Sequence, residues 1–82
     1  MPKTQIGKVT HFFPKIGVAV VKLSAPLAIG QRVSVEREGE AFEQTIDSMQ
    51  IEHKQIQKAE AGSEIAIKTV QETKAGAVVY QL

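Results

Sequence analysis

Phe12 and Phe13 stand next to each other among three side chains that carry or can take positive charge, Lys8, His11 and Lys15. An exposed aromatic ring set among bases can stack an unpaired nucleobase while the lysines meet phosphate. Neighbouring residues on a strand point to opposite faces, so one of the two rings faces a core and the other faces out. Lys22 and Arg32 add charge further along. Lys8, His11, Phe12, Phe13, Lys15, Lys22 and Arg32 are therefore the candidate RNA-binding residues. The alternative buries both rings, the second beneath a hairpin or a barrel end. Convergence of the bases on one face would mark an RNA binder, whereas a neutral apolar patch would mark a protein binder.

The charge distribution bears on the same choice. The net charge of +1 conceals a split: up to residue 35 there are five bases (Lys3, Lys8, Lys15, Lys22 and Arg32) and no acid, giving +5, and the remainder holds five bases and nine acids, giving −4. Such a split can mark a nucleic-acid face. It can equally average out once strands from both halves interleave, because halves of a sequence are not faces of a fold.

Other chemistry finds little support. The only histidines, His11 and His53, lie 42 positions apart, which is no metal-site spacing even with Glu52 beside the second. Asp47 and Ser48 are adjacent and would point to opposite faces of a strand, so no Ser-His-Asp site is expected. There is no cysteine, which removes disulfides and thiolate chemistry. No Gly-x-x-x-x-Gly-Lys-Ser/Thr cradle for phosphate is present. The expectation is a non-enzyme with no catalytic residues, metal, cofactor or bound nucleotide.

With 82 residues, the chain is expected to form one small domain over 1–82. Hydrophobic residues at 43% and charged residues at 23% are ordinary for a globular protein. The longest apolar run, from Ile16 to Val21, is too short to span a bilayer, and no cationic leader is evident, so no membrane partner and a cytoplasmic location are expected.

The apolar residues recur mostly with period two, in short runs broken by Gly and Pro, which predicts an all-β fold. Residues 4–13 read as a first strand, Pro14-Lys15-Ile16-Gly17 as a turn and 17–23 as the returning strand. Pro26 breaks that strand. A third strand covers Gln31 to Arg37 with Val33 and Val35 on one face, and Glu38-Gly39-Glu40 is a tight hairpin turn. The fourth strand places Phe42 and Ile46 on one face, but Met49 and Ile51 have the other parity, which predicts a β-bulge near Asp47-Ser48 that bends the strand around a barrel corner. Residues 54–61 suit a short helical turn with Ile56 and Ala59 inward. Residues 64–70 and 77–82 complete the strands. Ile46, Met49, Ile51, Val33, Val35, Ile65, Ile67 and Val78 are the expected core. Six or seven short strands favour a small closed barrel, which removes exposed edges.

Several of these segments together resemble the second domain of translational GTPases such as elongation factor Tu, a β-barrel. Met49-Gln50 followed by a charged connection and Ala59-Glu60-Ala61-Gly62-Ser63-Glu64-Ile65-Ala66 is similar to that family's Met-Gln and Ala-x-x-Gly-Asp-x-Val-Gly. Ile6-Gly7-Lys8-Val9 resembles its opening Gly-x-Val. Leu27 to Val33 resembles the turn into its third strand, and Lys74 to Tyr80 its terminal Gly-Asp-x-Val. The acid after the turn glycine is replaced by Gln31, Ser63 and Ala77, and Val18-Ala19-Val20-Val21 stands where the family has Gly-Arg-Val. The resemblance implies a closed six- to seven-stranded barrel like that second domain, carried as a stand-alone elongation factor-like protein. It further implies a non-catalytic binding module contacting RNA or a translation-associated ribonucleoprotein. Similar barrels at the C-terminus of collagenase-like peptidases give the alternative, a module with a protein partner.

Overall fold

The computed structural model of the chain describes residues 4–82. Its elements are β1 (Thr4–Phe13), β2 (Val18–Leu23), β3 (Leu27–Ala28), β4 (Arg32–Arg37), β5 (Glu40–Thr45), β6 (Met49–Ile51), β7 (Lys54–Ile56), β8 (Lys58–Ala59), β9 (Glu64–Lys68) and β10 (Val78–Gln81). The fold is all-β, and among the described residues there is no helix. Eight strands form one antiparallel sheet in the order β5-β4-β10-β1-β2-β9-β6-β7, and β3 pairs with β8 as a separate two-stranded piece. Alternation along the strands builds the core. Val9, Ala19, Val21, Val33, Val35, Ile65, Ile67, Val79 and the long side chains of Ile6, Leu23, Ile46 and Met49 are buried together, and Leu27 and Ala59 join them from the small piece.

The sheet does not close into a barrel. Its ladder ends at β5 on one side and at β7 on the other. The chain itself crosses the gap: β5 pairs with β4, residues 46–48 leave the strand conformation, and β6 then pairs with β9. The expected bulge at Asp47-Ser48 is thus a full break at which the strand changes partner. Ile46 keeps two bonds on the way, donating to the Gln31 carbonyl at 2.9 Å and accepting from the Gly30 amide at 2.8 Å. Gln44 spans what remains of the gap with its side chain. Its Nε2 donates to the Lys68 carbonyl at 2.8 Å and its Oε1 accepts from the Val70 amide at 2.9 Å, so a buried primary amide stands in for a missing backbone pair.

Three other expectations are corrected. Residues 54–61 form β7 and β8 rather than a helical turn. Eight residues supply little intrinsic helix stability, and pairing with β6 and β3 outweighs it. The β6–β7 hairpin closes through Glu52 and His53, both at positive φ (51° and 66°), which is the two-residue turn whose twist matches that of the strands. Val78 points away from the core, and Ala77 and Val79 take the buried positions, because Val79 faces Val35 across β4–β10. Ile51 is half-buried against the core rather than within it.

Two bulges in β1 carry no strong sequence signal. One falls between Gln5 and Gly7 against β10, the other between Val9 and His11 against β2. At Gly7 the chain runs so close to β2 that an added Cβ would lie 2.7 Å from Val21 Cγ1 and 2.9 Å from the Lys22 carbonyl oxygen. Only glycine fits there without moving backbone.

Candidate interaction surfaces

The bulge at Thr10 decides what β1 presents. Before it, Val9 lies opposite Val21 on the core face; after it, His11 lies opposite Val20 and Phe12 opposite Ala19. The extra residue inverts the alternation, so Phe12 turns inward and packs half-buried on the core while His11 and Phe13 share the outer face. Their rings stand 4.6 Å apart between centroids at 45°. Phe13 is 43% exposed.

Lys8 and Lys22 are cross-strand neighbours on the same outer face. Lys22 Nζ is engaged, donating to the Gly62 carbonyl at 2.8 Å, and Glu64 lies opposite it on β9. Thr10 Oγ1 is 3.3 Å from the Val20 carbonyl and 3.4 Å from Glu64 Oε2, so an acid also borders this patch. Lys15 sits in the β1–β2 turn, beyond the end of both strands. Arg32 lies elsewhere. Glu36 is the β4 residue level with Lys8 through Val78, and Arg32 is four residues further along β4, about 13 Å away in the strand direction alone. It pairs with Glu43 at 3.5 Å and donates to Thr45 Oγ1 at 3.3 Å. The structure therefore gathers Lys8, His11, Phe13 and Lys22 on one face, sends Phe12 inward, and leaves Lys15 and Arg32 apart. Lys3 lies outside the described residues.

A second surface surrounds the β4–β5 hairpin. Its two-residue turn, Glu38 (φ 48°) and Gly39 (φ 83°), matches the expected tight turn. On one flank lies an open cleft of about 740 Å³, walled by Val35, Ala41 and Phe42 on the hairpin side and by Gln71 to Lys74 on the other. The cleft lies next to the Gln44 bridge, between β5 and the chain that leaves β9. Sequence reasoning missed this surface, since its two walls lie some thirty residues apart and only the tertiary fold brings them together. A third feature is apolar. Ile16 is 62% exposed and Val70 66% exposed, and the Thr69 amide bonded to the Gly17 carbonyl at 2.9 Å brings their two segments to the same end of the molecule, the β1–β2 end where Phe13 also emerges.

Among the described residues, no group of three or more His, Asp or Glu side chains is placed to hold a metal ion. Among the same residues, no helix is long and apolar enough to cross a membrane.

No family model matches the chain. In sequence it is 32% identical over 81 residues to an uncharacterized protease of Methanocaldococcus jannaschii, a match that takes in 98% of this chain and 20% of that protein. The chain thus spans about one fifth of the length of this curated relative. In structure it superposes on the C-terminal domain of a U32 peptidase from Geobacillus thermoleovorans with a TM-score of 0.89 at 19% identity, covering 94% of this chain and 98% of that domain. A second crystal structure of that domain gives a TM-score of 0.88 with 94% and 90% covered. These findings overturn the elongation factor assignment: the sequence relative and the matching structures are a protease and peptidase domains, not translation-factor barrels. The turns that suggested the factor, such as Gly30-Gln31 and Gly62-Ser63, are ones that any small antiparallel fold uses to enter a strand. The RNA-binding and β-barrel descriptions that came with it lose their basis, and the alternative, a domain of the peptidase-attached kind, is the one the comparisons support.

Proposed function

We propose that this chain is a non-catalytic accessory domain of the U32 peptidase C-terminal type, a protein-interaction module that works beside a peptidase body. One observation carries the reading: the likeness runs edge to edge, 94% of this chain against 98% of a separately solved peptidase domain. The relation in sequence to one fifth of an archaeal protease agrees with it. The side-chain inventory is in keeping with a role in binding, since two distant histidines and a single aspartate offer no triad. The exposed apolar side chains of Phe13, Ile16 and Val70 are the natural contact with a protein partner, because protein interfaces centre on aromatic and apolar anchors. A cysteine-free chain also suits the reducing cytoplasm.

The test uses the archaeal protease with its matching 81-residue segment removed. This chain, titrated calorimetrically into that truncated protein, should bind, and a Phe13→Ser/Val70→Ser double variant should bind at least tenfold more weakly. Absence of heat with a folded truncated protease, or binding indifferent to the double variant, would overturn the reading and its contact surface.

A further inference from the structure

We infer that the free edge of β5, together with the cleft beside it, is a docking site for an extended, basic segment of another polypeptide, which would add to the sheet as a further strand. The inference is independent of the peptidase association.

The hydrogen-bond parity of the hairpin is the starting point. Arg37 and Glu40 flank a two-residue turn and so form a hydrogen-bonded pair; Val35 with Phe42 and Val33 with Gln44 follow at alternate positions. The bond from Ile46 to the Gln31 carbonyl continues the same parity. Ala41 and Glu43 are the residues between, and their N–H and C=O groups point away from β4. Among the described residues, none of these four groups meets another backbone group. A row of free donors and acceptors with strand spacing fits one kind of occupant, another extended backbone.

β5 differs from the sheet's other edge in what lies next to it. β7 is three residues long, whereas β5 is six and opens on the cleft. An added strand would lie between β5 and the segment 71–74. Phe42, half-buried, and the methyl-bearing Thr73 offer a seat for one apolar side chain on the inner side. The charges choose the rest. Arg37 is paired with Glu38 at 3.4 Å, and of the remaining charged residues on the cleft Glu40 and Glu72 outnumber Lys74. Alternating apolar and basic side chains would meet both features.

The probe is an octapeptide of alternating valine and lysine, with an octapeptide of alternating valine and glutamate as its counterpart, followed by amide NMR on the whole chain. The lysine peptide should shift the Ala41 and Glu43 amides most and slow their hydrogen exchange at least tenfold. The Ala41→Pro variant, which removes a donor that β4 does not use, should weaken binding at least tenfold. A Glu40→Lys/Glu72→Lys variant alters only exposed side chains, and it should reverse the preference toward the glutamate peptide whether or not the proline variant folds. Shifts centred elsewhere, equal affinity for both peptides in the wild type, or a preference unchanged by the charge reversal would each overturn the inference. So would protection of Ala41 and Glu43 that grows with protein concentration in the absence of peptide, which would assign the edge to a second copy of this chain.

Discussion

Gln44 and Lys68, on strands that do not pair with each other, are joined by a 2.8 Å hydrogen bond from the Gln44 side chain to the Lys68 carbonyl. With the Val70 amide donating to Gln44 Oε1, one side chain ties the edge strand β5 to the end of β9 across the opening. Replacing Gln44 with Ala should cost about 1–3 kcal/mol, because the Lys68 carbonyl and the Val70 amide would lose their partner on a buried side chain. Urea unfolding would measure the loss, and the Val70 amide should exchange faster in the variant. Unchanged stability with unchanged exchange at Val70 would show that the bridge contributes nothing.

Gly7 tests the close approach of β1 and β2. A methyl group there meets Val21 Cγ1 and the Lys22 carbonyl oxygen, one of which is backbone. The Gly7→Ala substitution should destabilise the fold by about 1–3 kcal/mol through overpacking. A thermal melt showing equal or greater stability would contradict the contact distances.

The β6–β7 turn should be open to improvement. Glu52 and His53 both hold positive φ, which side-chain-bearing residues adopt at a cost of about 1–2 kcal/mol each. An Asn-Gly pair is what such a turn favours, so the double substitution Glu52→Asn/His53→Gly should raise stability by about 1 kcal/mol. A lower midpoint in urea would mean that the two native side chains make contacts worth more than the backbone strain.

Ile65 lies at the centre of the core, 1% exposed and opposite Val21 on β2. Truncation to Ala should cost about 2–5 kcal/mol, the range for emptying a large buried aliphatic site. A cost well under 1 kcal/mol would mean that the core collapses around the site.

Much of the architecture was legible along the chain. Period-two runs give β1, β2, β4 and β9 within a residue or two, and Glu38-Gly39 marks its own turn, because strand alternation and positive-φ turn chemistry are local properties. Legibility ends where a decision depends on residues distant in sequence. The Thr10 bulge exists because β1 must match β2, and it sets which phenylalanine faces solvent; spacing alone could say only that the two would differ. Residues 54–61 look helical in isolation and become strands because β6 and β3 offer them partners. Val79 displaces Val78 from the core through its pairing with Val35. Arg32, grouped with the other bases by sequence, is carried away from Lys8 by the order β4-β10-β1 and bound to Glu43. The amino-acid order by itself determined an all-β chain with its turns and most of its buried faces. Tertiary structure alone decided that the sheet stays open, that Gln44 bridges the opening, and that a cleft and a free strand edge lie beside it, since each is a relation between segments that no local pattern encodes.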